Sequence, residues 1–416
     1  MSTWTPIWRV TIGGVVSTSS TIANLTITSG RTNIYSQPNA GYCQLQLVNF
    51  DESNYSWNIG SFLSVETKNS AGTYVAVFGG YITDFAIGVQ STGSITTVTS
   101  VQITALGALS RLPKAITDGI LSQDTDGDQI QTILNDLLLN NWNEVAPTLT
   151  WVGYTATTNW ANAENLGLGE IDIPGQYTLE NRSSLPTDVY SLVADIANSA
   201  LGYIYEDSNG AIGYADAIHR STYLSNNGYI ELSANDALGA GLRTVTRSGD
   251  IRNSISINYG NNYGSHKTAS SSTSQSTYGL QAETINSLIH SGTDAQAIAD
   301  RYISLRATPK AKFDTITYPL TNPEIDDSDR DNLLGIFMGM PVRIIDLPAN
   351  IASTNFLGFV EGWTFRAGVN SLSLTFNASP IEYSLIALKW NQVSGSEAWN
   401  TLSGTLDWQE ATGVIA

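Results

Sequence analysis

Few residues in this sequence are of types that carry reactions. The histidines are His219, His266 and His290, and the single cysteine is Cys43. That set leaves little for a general base, a multi-cysteine zinc site or an intrachain disulfide. Asp124-Thr125-Asp126-Gly127-Asp128 places carboxylates at alternate positions, the way a calcium loop begins. The pattern then fails, because Gln129 stands where that loop needs its glycine and Asn135 where it needs a bidentate glutamate. The plainer reading is an acidic start to the next helix, with Asp128 against the positive end of its dipole. Glu324, Asp326, Asp327, Asp329 and Asp331 could supply the paired carboxylates of glycoside hydrolysis. A solvated loop is the competing reading, and Asn322-Pro323 beside the cluster favours it. No nucleophile elbow, Walker loop or dinucleotide glycine fingerprint occurs, and Gly79-Gly80 reads as a turn. No catalytic residue, metal or cofactor is therefore expected.

The elements that would position these residues are mostly strands. Val10-Thr11-Ile12 and Val15-Val16-Ser17 flank Gly13-Gly14, a pair suited to a tight hairpin. Further strands are predicted at Tyr42 to Val48, Phe62 to Thr67, Tyr74 to Phe78 and Ile95 to Thr104. Alternation in the first of these makes Cys43 a core residue. The period then changes. Ile130, Ile133, Leu134, Leu137 and Leu138 share one helical face, as do Val189, Leu192, Val193, Ile196 and Ala197 with Pro186 before them and Gly202 after. Leu201 to Tyr205 and Ala211 to Tyr214 flank a turn ending in Asn209-Gly210, which reads as a hairpin. Strands resume near Leu242, for example Ser254 to Tyr259. Ser265 to Thr277 is so polar that it is expected to stay unordered, with His266 solvated. A helix is predicted from a capping box at Thr293 to Gln296, carrying Ile298, Tyr302 and Leu305 inward and stopping before Pro309. Strands at Asp314 to Leu320, Met340 to Asp346, Phe356 to Phe365 and Ser371 to Phe376 complete the series, and Pro380 marks its end.

The fold class expected from this order is mainly β, with two tube-like barrel or sandwich domains, an α+β middle segment and an extended C-terminal arm. The boundaries fall at 1–113, 114–241, 242–384 and 385–416. A chain of 416 residues needs several cores. Its 42% apolar and 13% charged residues, with abundant Gly, Ser, Thr and Asn, suit strands and turns. Nineteen basic against thirty-seven acidic residues give a net charge of −18 without a basic run, which argues against a surface that grips phosphates. The excess serves solubility, or lines a wall past which a polyanion slides. The N-terminus lacks a basic region followed by an apolar block, and no apolar stretch would span a bilayer, so neither export nor stable membrane association is expected.

The C-terminal arm holds the one clear repeat. Trp390, Trp399 and Trp408 each open a short unit that closes on Ser-Gly or Thr-Gly. Three large aromatics on a short arm are an apolar load that calls for a partner, so these residues are predicted to bind one.

Read in order, several stations resemble the tail-hub, baseplate-hub or minor tail proteins of long-tailed bacteriophages. Gly30-Arg31, Pro38 to Gly41 with the strand Cys43 to Asn49, and Phe78-Gly79-Gly80-Tyr81-Ile82 resemble the first barrel of that family, and Ala105 to Leu109 the stretch leaving it. Gly127-Asp128-Gln129-Ile130 and the hairpin from Leu201 to Tyr214 resemble the middle domain. Tyr278-Gly279, the helix from Thr293, Gly339 to Val342 and Phe359-Val360-Glu361-Gly362-Trp363 resemble the second barrel. The resemblance implies a structural virion protein at the distal end of the tail tube. Three copies would form a ring whose paired barrels imitate a sixfold tube around a DNA channel. Implied partners are further copies of itself, a tail tube or distal tail protein, and a tail-tip or central-fibre protein, with DNA only in passage. The competing function is a carbohydrate-binding or glycan-cleaving tail protein.

Overall fold

The computed structural model describes residues 4–17, 20–49, 58–91, 97–138, 168–349, 351 and 355–384. The first β region comprises β1 (Trp8–Ile12), β2 (Val15–Ser17), β3 (Thr21–Gly30), β4 (Tyr42–Val48), β5 (Phe62–Lys68), β6 (Tyr74–Ser91) and β7 (Thr97–Gly107). Alternation makes these strands, interrupted by bulges in β3 and β6. In β4, Cys43, Leu45 and Leu47 turn inward and Tyr42 and Gln44 outward. The β1–β2 turn has Gly13 and Gly14 at φ 56° and 84°, the left-handed pair a tight hairpin requires.

The middle of the chain folds into short strands and helices. These are β8 (Ile116–Thr117), β9 (Asp124–Thr125), α1 (Asp126–Leu138), β10 (Leu168–Ile171), β11 (Thr178–Leu179), β12 (Thr187–Asp188), α2 (Val189–Ser199), β13 (Tyr203–Glu206), β14 (Ile212–Ala215) and α3 (His219–Asn227). All five residues of the expected α2 stripe are buried. Asp188 caps its start through the Ser191 N–H. At its end the left-handed position is held by Leu201, at φ 57°. Gly202 is needed for a different reason, since a Cβ there would lie 2.5 Å from the Tyr214 hydroxyl.

The remaining elements are β15 (Ile230–Ser233), β16 (Leu242–Val245), β17 (Ser254–Tyr259), β18 (Ser265–Ser270), α4 (Ser272–Tyr278), β19 (Ala282–Asn286), α5 (Gly292–Arg306), β20 (Lys312–Pro319), α6 (Asp327–Leu334), β21 (Pro341–Ile345), β22 (Phe356–Gly368) and β23 (Ser371–Pro380). The chain is mainly β, as its composition indicates.

Thirteen strands from both β regions hydrogen-bond into one sheet, in the order β16-β20-β23-β22-β3-β4-β7-β6-β5-β1-β2, with β21 added to β22 and β15 to β21. The seam between the two regions is β3 against β22, antiparallel, with Gly30 opposite Gly362, Ile27 opposite Phe365 and Leu25 opposite Ala367. One core lies on this sheet and takes residues from both regions, including Leu25, Ile103, Phe365 and Phe376. A second core runs from Ala108 to Ile303 and joins α1, α2 and α5 to the smaller sheet β18-β17-β19. The β13–β14 hairpin stands between them. Tyr203, Tyr205 and Ala215 belong to the first core, and Ile204, Ile212 and Tyr214 to the second.

Four local expectations are corrected. The polar run from Ser265 is ordered, as β18 and α4. Its side chains bury little, but its backbone is held by the ladder that pairs Ser265 to Ser270 with β17. Polar bonds add to it, with Asn253 donating to Ser274 Oγ at 3.1 Å and Ser274 Oγ donating to the Ala307 carbonyl at 2.5 Å. The cap of α5 is Ser291, whose hydroxyl accepts the Asp294 N–H, two residues ahead of the predicted box. Of the acidic run at 324–331, Glu324 lies in a turn as expected, whereas Asp326 caps α6 through the Asp329 N–H and Asp327, Asp329 and Asp331 fall in the helix instead of a loop. Gly79-Gly80 lies inside β6, not at a turn, because a Cβ on Gly79 would fall 2.4 Å from the Asn209 carbonyl carbon of the neighbouring hairpin turn.

The seam permits no side chain at Gly30 or Gly362. A Cβ on Gly362 would sit 2.6 Å from the Arg31 carbonyl oxygen. Gly362→Ala is expected to lower unfolding stability by about 1–3 kcal/mol through this overlap. Urea melts followed by tryptophan fluorescence measure the difference, and an unchanged midpoint would mean that the seam is looser than this register requires.

Candidate functional site

Three charged residues from distant parts of the chain meet beside the seam. Arg31 follows the last residue of β3, Arg220 lies in the first turn of α3, and Glu361 interrupts the apolar run of β22. Arg31 Nε donates to Glu361 Oε2 at 2.7 Å. Arg220 donates through Nη1 to Oε1 at 2.8 Å and through Nη2 to Oε2 at 3.0 Å. Ser379 Oγ adds a bond to Oε1 at 2.5 Å, and Arg220 Nη1 also reaches Ser384 Oγ at 2.9 Å. Glu361 is 1% exposed. Burial alone would raise its pKa, but the two guanidinium groups and the bonds from Arg220 and Ser379 outweigh that and hold it down at about 2. Two stretches on which the family resemblance rested, Gly30-Arg31 and Phe359 to Trp363, are thus in direct contact.

The β13–β14 hairpin carries a second fastening. Glu206 accepts the Gly41 N–H at Oε1 and the Leu109 N–H at Oε2, the latter at 2.8 Å. Gly41 and Gly107 make room for it, since a Cβ at either would lie 2.4 Å or 2.0 Å from Oε1. Burial raises the Glu206 pKa to about 7, only partly offset by the two backbone donors. On the other face, Tyr214 donates to Asp126 Oδ2 at 2.6 Å.

That contact settles where the aspartates of the calcium-like segment go. Asp126 is fully buried, and its Oδ1 accepts the N–H groups of Gln176 and Tyr177, each at 2.8 Å. Burial raises its pKa to about 6 against these bonds. Asp124 accepts its neighbour's N–H and Asp128 accepts the Thr125 hydroxyl at 2.8 Å. The three carboxylates therefore serve different contacts, and no group of three metal-ligating side chains forms among the described residues. Asp126 and Asp128 both fall in the first turn of α1, as an acidic helix start should. Trp390, Trp399 and Trp408 lie outside the described residues.

An open cleft of about 350 Å³ adjoins the Glu361 cluster. Its walls are the segment after β3, the end of α2, residues 216–220, β19, α5 and Tyr383. In the sequence Arg31 and Glu361 stand out only as members of the resembling stretches, and neither they nor Arg220, Glu206 or the other arginines of this cleft are marked for a role. A glutamate inside an otherwise apolar strand was the one available signal.

The buried carboxylates set a pH response. Glu206 and Asp126 have raised pKa values in the folded chain, so the stability they give is complete below their unfolded values and is lost as pH rises through about 6 and about 7. Glu361 is depressed, so its contribution is present above about 4.5 and lost as pH falls towards about 2. Unfolding midpoints in denaturant are expected to peak near about pH 4 and fall on both sides. Glu206→Gln should flatten the limb between pH 5 and 8, and a wild-type midpoint that climbs steadily over that range would contradict the assignment.

No known sequence family matches this chain, and no curated protein matches its sequence. Solved structures do resemble its fold. The 43 kDa tail protein of prophage MuSo2 from Shewanella oneidensis is 12% identical with a TM-score of 0.55, over 91% of this chain and 99% of that one. A tail protein from Neisseria meningitidis MC58 is 12% identical with a TM-score of 0.57, over 92% and 98%. The chain has the mainly β fold of these phage tail proteins along almost its whole length.

Proposed function

We propose that this chain is a structural protein of a phage tail, without enzymatic activity, and that it forms the hub at the distal end of the tail tube. The observation that carries this reading is a shared fold that covers nearly all of the chain and nearly all of two phage tail proteins. In the virion, three copies surround a DNA channel at the tail tip, with the tube or distal tail protein on one side and the tip or fibre protein on the other. The single sheet supports the ring, because it presents two β regions per chain side by side and three copies would offer six to a tube. The net charge of −18 would keep passing DNA from adhering. The glycan-cleaving alternative draws nothing from the cluster at 324–331, where Asp326 caps α6 and Asp327 pairs with Arg330.

Native mass spectrometry of isolated tail tips should give three copies per tip. A dimer or hexamer as the dominant form would overturn the ring. The C-terminal arm is proposed to fasten the hub to the next tip component, with Trp390, Trp399 and Trp408 as anchors. Replacing all three with Ala should leave the melting temperature unchanged while tip assembly fails. Normal assembly with a lowered melting temperature would place the arm against its own chain instead.

A further inference from the structure

The arginines around the cleft are not equally satisfied. Arg31 and Arg220 share Glu361, and Arg252 Nε lies 2.6 Å from Glu283 Oε2. Arg306 is different. It projects from the last turn of α5 and lines the cleft, yet only 6% of it is exposed. Its Nη1 donates to the Tyr383 carbonyl at 2.5 Å. Its guanidinium carbon lies 4.6 Å from the Tyr383 ring centre and 5.5 Å from that of Tyr35. Among the described residues its buried Nε, like that of Arg220, has no hydrogen-bond partner, and unlike Arg220 it has no carboxylate within ion-pair distance. Burying a guanidinium without an ion-pair partner is unfavourable, and two aromatic faces and one carbonyl offset only part of that. Burial accordingly lowers its pKa. Arg301 of the same helix also lines the cleft, and its Nη2 is bound to the Ala217 carbonyl at 2.9 Å. Ile285, Tyr302 and Leu305 also line the cleft, as do Asp195, Asp216 and Glu283, and the Tyr302 hydroxyl is engaged by Glu283 at 2.9 Å.

We propose that this cleft is a binding site for a carboxylate on a short apolar stem, which pairs with the Arg306 guanidinium while its stem lies along Tyr302 and Leu305. The carboxylate supplies a counter-charge that no described residue brings within ion-pair distance, and the planar guanidinium favours a carboxylate over a spherical anion. Two sources share this chemistry, an acidic side chain of another polypeptide and a free small dicarboxylic acid. The site is independent of the tail reading, and a chain that forms no ring would still bind.

The test is calorimetric titration of the full chain with glutarate and with N-acetylglutamate amide, each against sodium chloride of matched ionic strength. Saturable binding of either is expected. Arg306→Met should weaken it about tenfold or more, the loss of one charge-assisted pair. Arg243→Met, at an exposed arginine on β16, should leave it unchanged. Comparable affinity for the capped glutamate points to a protein side chain, and a tenfold preference for glutarate to a free acid. Arg306→Met should fold at least as stably as the wild type, because the variant relieves a buried unpaired charge. If that variant does not fold, the Arg306 Nε–H resonance of the ¹⁵N-arginine-labelled wild type should still move on titration. Absence of saturable binding, unaltered binding in Arg306→Met, or a stationary Nε–H resonance overturns the proposal.

Discussion

The structure turns on one buried carboxylate held by two guanidinium groups. Glu361 joins the seam strand β22 to Arg31 beyond the end of β3 and to Arg220 on α3. Against a well-packed apolar cluster such a triad gives little net stability, since desolvating three charges consumes most of their attraction. Its use is in fixing geometry. Period-two alternation means that a slip of one residue at the seam would turn Phe365 and Leu25 away from the core, and it would also separate Arg31 from Glu361. Packing and charge therefore select the same register. Removing one member would be far costlier than never having the triad, because it would strand a charge where water cannot reach it.

The β13–β14 hairpin presents the complementary problem of two apolar faces and polar tips. Every residue of both strands is buried. Such a hairpin stands between two cores because neighbouring backbone comes close and because most of its hydroxyl and carboxyl groups find partners, the buried Tyr203 hydroxyl being the exception among the described residues. Close approach is supplied by glycine at Gly79, where the hairpin's own turn comes in, and at Gly213, where a Cβ would lie 2.1 Å from the Tyr205 ring. Partners are supplied in turn. The Tyr205 hydroxyl donates to the Glu170 carbonyl at 3.1 Å, that of Tyr214 to Asp126, and Glu206 accepts two backbone donors. The middle segment is thereby tied to both cores at fixed positions.

How much of this was legible in the sequence follows from the range of each interaction. The alternation Cys43-Gln44-Leu45-Gln46-Leu47 and the stripe from Val189 to Ala197 are signals within a few residues, and both elements appear where they were predicted. The Gly13-Gly14 and Asn209-Gly210 turns are equally local, with Gly210 at φ 83°. The seam joins residues more than three hundred positions apart, and nothing near Gly30 or Gly362 says that each faces the other. The polar strand β18 was missed for a related reason, since its order comes from the β17 ladder and not from its own side chains. Glu361 could have been flagged as a charge inside an apolar run, but its two partners could not have been named.

Charge distribution links the interior to any assembly of copies. Among the described residues the buried charged set holds Arg31, Arg220, Arg306 and Arg330 against Asp126, Glu170, Glu206, Asp216, Asp250 and Glu361. These nearly balance, so almost all of the net charge of −18 belongs to the rest of the chain. Copies brought together in the proposed ring would repel one another at long range, and salt at physiological strength shortens that repulsion to about 8 Å. Contacts between copies would then have to rest on apolar burial and hydrogen bonds instead of opposite charge. The surface has such material, because Ile120, Leu185 and Val89 are each roughly two-thirds exposed, though isolated apolar side chains are common on any protein. A repelling exterior combined with short-range adhesive patches disfavours loose association and leaves assembly to well-matched faces, which is the requirement that a closed ring imposes.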